Sequence, residues 1–399
     1  MFCSFTQPPV SDSYDPNLFA IFNKSKTMDC AIYWFCNENN CMSQFDPKLN
    51  KTYFDPSKQS ILFIPGWQPN QLELSQRETF DYLHNIYGYR RYDYDEKNFP
   101  KKQSHYLHPN ISSLGKSYNI GIFYWDQFGD EPNVLSLPSK IWTPHTSPRS
   151  IRYKYYDKKS PQKTGISLYT VRELFLTCYL QIFSKTPPLL VAHSTGVQVL
   201  CSFMELIASP PKGFETFYKK NYNSMCKFLQ IPKPSSNTFS GKTKLTVPTN
   251  LTLLDPFYVN FSSYASLSHK VLSSVPNLSL SYYLTSELSD NSNLVCCDLL
   301  SDNNTKLKEL AQTITITPTI FNSVGFRDKS RARHLSAIWI FFSTFDHNVP
   351  FGLRQPPRDI QKYMNTTKSW KQKNNWYNNI CGSYLEPNLT IADYEYVFS

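Results

Sequence analysis

The residues Ala192-His193-Ser194-Thr195-Gly196 place a hydroxyl between an apolar run, Pro188 to Ala192, and a stretch with apolar residues at Val197, Val199, Leu200, Phe203, Met204 and Ile207. That is the order strand, sharp turn, helix, in which a serine oxygen is lifted clear of a sheet and small residues two positions to either side avoid backbone clashes. Ser194 is therefore the candidate nucleophile. The plainer reading is a helix start capped by Ser194. A serine hydroxyl attacks poorly near neutral pH unless an imidazole takes its proton and a carboxylate fixes the imidazole tautomer. In this arrangement the acid and then the histidine follow the serine along the chain. Three histidines do so, His269, His334 and His347. Asp255, at the end of the apolar run Asn250 to Leu254, is the natural acid, because parallel sheets collect their chemistry at the C-terminal ends of strands. As half of an Asp-Pro pair it would serve equally as a turn former. Asp346, after the run Ile338 to Phe342, competes for the role, but no histidine follows His347, so it falls behind Asp255.

These residues need a frame, and the frame is legible as an alternation. Ser60 to Gly66, Asn119 to Trp125, Pro188 to Ala192 and Asn250 to Asp255 are short, nearly continuous apolar runs, as strands buried on both faces are. Between them Gln71 to Tyr87, Ile166 to Phe183 and Val197 to Ala208 read as helices. The alternation predicts an α/β fold with a mainly parallel central sheet flanked by helices. Glu131 to Lys163 and Pro210 to Pro248, rich in Pro and Lys, read as insertions rather than framework. The chain then divides into a lead-in over 1–29, a main domain over 30–350 with insertions near 131–163 and 210–248, and an aromatic, Asn-rich extension over 351–399 packed on it.

Composition narrows the class. The 399 residues are 40% hydrophobic and 16% aromatic, with 27 Tyr and 28 Phe, and carry 41 Lys+Arg against 31 Asp+Glu for a net charge of +10. So much apolar surface excludes a disordered chain. With 28 Pro to 12 Gly, Gly-rich phosphate loops are not expected. No run reaches the roughly 18 apolar residues of a spanning helix, and Pro8, Pro9, Asp12, Asp15 and Pro16 interrupt any secretory signal core. The 10 cysteines lack zinc-type spacing and read instead as disulfides. Together with a mild excess of N-x-S/T glycan acceptors, they favour a secreted protein over a cytoplasmic one.

Several segments, in order, resemble the pancreatic-type lipase family, which includes sn-1-specific phospholipases. Tyr53-Phe54-Asp55-Pro56-Ser57-Lys58 and Ile61-Leu62-Phe63-Ile64-Pro65-Gly66-Trp67 are similar to its lead-in and oxyanion strand. Tyr118 to Trp125 resembles the next strand, His193-Ser194-Thr195-Gly196 the elbow, Leu254-Asp255-Pro256 the acid motif, and Arg333-His334-Leu335-Ser336-Ala337 the histidine segment. The match covers roughly residues 30 to 345. It departs from the family in having Pro65 for the usual His and Ala192 for the usual Gly, a long gap from Ser194 to Asp255, and no C-terminal lipid-binding sandwich, which puts colipase-type partnering in doubt.

The resemblance implies an α/β-hydrolase fold, a triad of Ser194, Asp255 and His334, His334 being chosen over His347, and oxyanion donors at the backbone N–H groups of Trp67 and Thr195. It implies hydrolysis of lipid esters, of triacylglycerol or phospholipid type, at a membrane or droplet surface, with neither metal nor organic cofactor. Between acid and histidine the family carries a lid, and here Phe257 to Thr319 offers Phe261, Tyr264, Tyr282, Tyr283 and Leu284, residues that would serve as well in ordinary core. The basic segment 140–163, with Lys140, Arg149, Arg152, Lys154, Lys158 and Lys159 among tyrosines, is a candidate site for anionic lipid. A solvated loop is the commoner outcome of such a run, and nucleic acid is not expected as a partner. A catalytically inactive lipase-like binding or storage protein, and an acyltransferase or thioesterase with the same triad, are the alternatives.

Overall fold

The computed structural model describes residues 28, 30–36, 41–44, 54–67, 118–157, 160–183, 186–231, 246–258, 262–286, 303–318, 334, 337, 338, 341, 384–385 and 390–394. Apolar runs become the strands β1 (Ala31–Cys36), β2 (Cys41–Gln44), β3 (Gln59–Ile64) and β4 (Tyr118–Tyr124). After a hairpin of β5 (Ile151–Asp157) and β6 (Ser160–Ser167) come β7 (Leu189–His193), β8 (Asn250–Leu254), β9 (Ser279–Leu284) and β10 (Gln312–Pro318), with β11 (Tyr384–Leu385) and β12 (Thr390–Tyr394) last. Helices are α1 (Asp126–Gly129), α2 (Leu137–Trp142), α3 (Val171–Ile182), α4 (Gly196–Ala208), α5 (Phe214–Leu229), α6 (Ser262–Ser273) and α7 (Asn303–Glu309).

Among the described residues the main sheet has 10 strands in the order β11-β12-β10-β9-β8-β7-β3-β4-β1-β2. Pairing is parallel from β12 through β10, β9, β8, β7 and β3 to β4, and antiparallel at both margins. Helices pack against this sheet, α4 on β7 and β3, α3 on β1. The central strands are buried almost throughout, which is why they read as continuous apolar runs rather than alternating ones. Progression reverses at β3: the chain builds outward to β4, then returns to the other side with β7. Such a reversal opens a crevice at the C-terminal strand ends, the usual ligand position in open parallel sheets.

Three expectations are corrected. Glu131 to Lys163 is framework rather than loop: it contains α2 and most of the β5–β6 hairpin, and Leu137, Ile141, Ile151 and Tyr153 enter the core. The second supposed insertion holds the 16-residue helix α5, whose Phe214, Tyr218, Met225, Cys226 and Leu229 are buried. Its aromatic positions at i, i+4 spacing escaped notice among the lysines and asparagines. Residues 232–245 lie outside the described set, as does Gln71 to Tyr87. Helix α3 begins at Val171 instead of Ile166, because Thr170 and Glu173 form a capping box and the preceding residues join β6.

The disulfide expectation fails for two of the cysteines. Cys178 and Cys201 are buried free thiols, and burial pushes Cys201 up to about 11, which leaves it an inert core residue. Among the described residues no helix is long and apolar enough to cross a membrane.

Candidate active site

The C-terminal ends of β3, β7 and β8 meet at one edge of the sheet. Ser194 follows β7 with φ of 55°, and Asp255 follows β8 with φ of 41°. Left-handed backbone costs a residue other than glycine about 1–2 kcal/mol. Among the described non-glycine residues only Gln230 and Asn277 share it; Gln230 ends α5 and Asn277 lies in a turn. The two instances without such a local explanation are the predicted nucleophile and the predicted acid, where stored strain is a recurrent sign of function. Each is held by the neighbouring strand: Ser194 N–H donates to Leu254 O at 3.0 Å, and Asp255 N–H to Tyr283 O at 2.8 Å.

Gly66 and Gly196 are required by the closeness of these strand ends. A Cβ on Gly66 would lie 2.6 Å from Ser194 Cβ and 3.1 Å from its Oγ. One on Gly196 would lie 2.4 Å from Ile64 O and 2.5 Å from Pro65 O. The segment Pro65-Gly66-Trp67 thus runs directly against the serine. Two indoles fix it from the other side. Trp125 Nε1 donates to Pro65 O at 2.7 Å, and Trp67 Nε1 donates to Glu131 O at 2.7 Å. Thr195 is fully buried at the start of α4, where first-turn N–H groups have no carbonyl four residues back to bond.

His334, predicted from the far end of the chain, reaches this edge. Its Nδ1 lies 2.6 Å from Asp255 Oδ2, so Nδ1 is the donor and Nε2 is left as the base. Asp255 is fully buried and accepts in addition from Thr285 N–H at 3.0 Å, Ser286 N–H at 3.2 Å and the Ser286 hydroxyl. On the opposite side, His193 Nε2 is 3.0 Å from His334 O, with the two rings 4.5 Å apart. A carbonyl only accepts, so His193 carries its proton on Nε2. Burial, with the neighbouring His334 adding to it, holds the His193 ring well below its ordinary value of 6.5, and it stays neutral.

Of the predicted residues, Asp255 and His334 are in direct contact, while Ser194, Trp67 and Thr195 line the same strand edge. The competitors Asp346 and His347 lie outside the described residues, and His269 is half-buried on α6. Sequence reasoning missed Ser286, Trp125, Glu131 and His193. For Ser286 the available signal was its place just past an apolar strand next to β8.

The lid and the basic patch come out differently. Tyr282, Tyr283 and Leu284 belong to the buried strand β9 and Tyr264 stacks on Trp142 at 5.3 Å, so these residues serve the core; Phe261 lies outside the described residues. In the basic segment Lys140 is buried and 2.5 Å from Glu131, which Arg152 also contacts. Arg149 forks onto Glu173, and Lys154 reaches Asp130 at 3.1 Å. Four of the seven basic residues of 140–163 thus meet internal carboxylates; Lys158 and Lys159 lie outside the described residues. Among the described residues no group of three or more His, Cys, Asp or Glu side chains is assembled as a metal would require.

No family model matches the chain, and neither a curated protein nor a solved structure does.

Proposed function

We propose that this chain has an α/β-hydrolase fold and is a serine carboxylic ester hydrolase acting on lipid esters, with Ser194, His334 and Asp255 as its triad. The observation that carries the reading is the 2.6 Å contact of His334 Nδ1 with Asp255 Oδ2 at the strand edge where Ser194 stands with φ of 55°. The reading requires in addition that His334 Nε2, the nitrogen turned from Asp255, meet Ser194 Oγ. Ser194 Oγ then attacks the ester carbonyl while His334 takes its proton, and Asp255 holds the ring and stabilises the imidazolium. The N–H groups of Trp67 and Thr195 receive the oxyanion, each such donor contributing about 10²–10³ in rate. His334 returns the proton to the leaving alcohol, and water, activated by the same ring, releases the acyl group from Ser194.

Lipid esters as the substrate class follow from the ordered resemblance to the pancreatic-type lipases. The departures at Pro65 and Ala192 are compatible with catalysis. Pro65 contributes its carbonyl to Trp125, a bond that needs no N–H, and Ala192 is a fully buried rung of β7. A fluorophosphonate ester probe should label the wild-type protein at Ser194 and leave Ser194→Ala unlabelled. Hydrolysis of triglyceride, phospholipid and lysophospholipid measured side by side then ranks the substrates. An unlabelled wild type would instead favour a lipase-like protein that binds without catalysis.

A further inference from the structure

We propose that His193 is a positioning residue: its Nε2–H holds the main chain of His334 and so sets the distance between the catalytic base and Ser194. The inference rests on the triad reading. His334 lies 79 positions beyond Asp255 and 141 beyond His193. One hydrogen bond from Nδ1 to Asp255 leaves the ring free to pivot about that bond, and a pivot displaces Nε2, the atom that must take the proton. The second hold is His193 Nε2–H on His334 O at 3.0 Å, with the ring centroids 4.5 Å apart and the rings tilted by 42°. His193 is itself immobile. It is the last residue of β7, in register with Leu254 of β8, and only 4% of its surface is exposed. Its next covalent neighbour is the nucleophile. One rigid residue is thus joined to Ser194 by a peptide bond and to His334 by a hydrogen bond. Being shut away from solvent, it acts through His334 and not on substrate.

Because a carbonyl accepts only, the required feature is an N–H at the Nε2 position. A glutamine places its amide nitrogen near that position, whereas the shorter asparagine falls short and phenylalanine has no donor. His193→Gln, His193→Asn and His193→Phe are therefore compared in kcat and KM for a short acyl ester, in melting temperature, and in the low-field proton signal of the His334–Asp255 hydrogen bond, identified by its loss in His334→Gln. Misplacement of a reacting group by ~1 Å costs about 10² in rate. His193→Phe and His193→Asn are expected to lose about that factor in kcat with KM little changed and the low-field signal shifted or broadened. His193→Gln is expected to stay within about tenfold of wild type and keep the signal. Wild-type kcat in His193→Phe, or equal losses in Gln and Asn variants of matched melting temperature, would overturn the proposal. Should the Phe variant not fold, the Gln and Asn pair decides. The proton signal reads the positioning even if wild type proves inert toward esters, so failure of the triad reading and failure of this inference remain distinct.

Discussion

Asp255, directly after β8, and Glu131, after the short helix α1 that follows β4, are both buried carboxylates, yet their charges are met by opposite means. Glu131 takes Lys140 at 2.5 Å together with the Arg152 guanidinium. Every donor recorded on Asp255 among the described residues is formally neutral or titratable: two backbone N–H groups, a hydroxyl and an imidazole. Two permanent cations quench the Glu131 charge and make it a structural node, with its main-chain carbonyl free to hold the Trp67 indole. On the proposed triad, dipoles and a neutral ring leave the Asp255 field available for an imidazolium that forms only during reaction. Under that proposal, how a buried carboxylate is neutralised separates an architectural acid from a catalytic one.

Exchange of each carboxylate for its amide probes that distinction most strongly. Asp255→Asn is expected to lower kcat by about 10⁴ because the amide favours the wrong His334 tautomer, with the fold kept, as read by ester hydrolysis and circular dichroism. Glu131→Gln should act the other way, costing about 3–5 kcal/mol of stability by stranding the buried Lys140, as read by denaturant unfolding, with activity per folded molecule far less affected. A thermally unaffected Glu131→Gln or a fully active Asp255→Asn would break the comparison. Ser286→Ala removes one neutral donor from Asp255 and is expected to cost about 1 kcal/mol, about fivefold in kcat, with a small change in melting temperature.

Acid titration gives the smallest and most graded effect. Burial alone would raise the Glu131 carboxyl, but the hydrogen bonds and charges of Lys140 and Arg152 outweigh it and leave it below its ordinary 4.5. A depressed carboxyl stabilises the fold above its unfolded value and loses that contribution as pH falls through the folded value. Unfolding midpoints followed downward from pH 4.5 should therefore fall more steeply in wild type than in Glu131→Gln. His193, also depressed, adds loss of stability as pH falls below 6.5, a window that His193→Gln removes.

The buried strands were legible because a strand covered on both faces is apolar at most positions, as the runs within β3, β4, β7 and β8 are. The order serine, acid, histidine along the chain left His269, His334 and His347 as candidates, and only the resemblance of Arg333 to Ala337 to the lipase histidine segment singled out His334. What escaped the sequence depends on pairing in space. Lys140, Arg149, Arg152 and Lys154 look alike as an exposed basic run, and only the arrival of Glu131, Glu173 and Asp130 pairs them, with Lys140, Arg149 and Lys154 drawn inward and Arg152 half exposed. Tyr282 and Tyr283 are equally suited to lipid contact and to core, and the pairing of β9 between β8 and β10 decides for core. His193 and Trp125 act through single hydrogen bonds to main-chain carbonyls, and a carbonyl leaves no mark in a sequence.

The rung from Ser194 N–H to Leu254 O also has a consequence in time. The amide of Ser194, the proposed nucleophile, closes the ladder to β8, and His334, its proposed base, waits 141 positions beyond His193, a span the ribosome needs roughly 7–30 s to translate at about 5–20 residues per second. On the proposed triad, the emerging chain carries Ser194 throughout that interval without His334 to activate it. Reaction of Ser194 with a fluorophosphonate during synthesis would therefore act as a clock, starting only when the last strand ends have docked and the newborn protein has become competent.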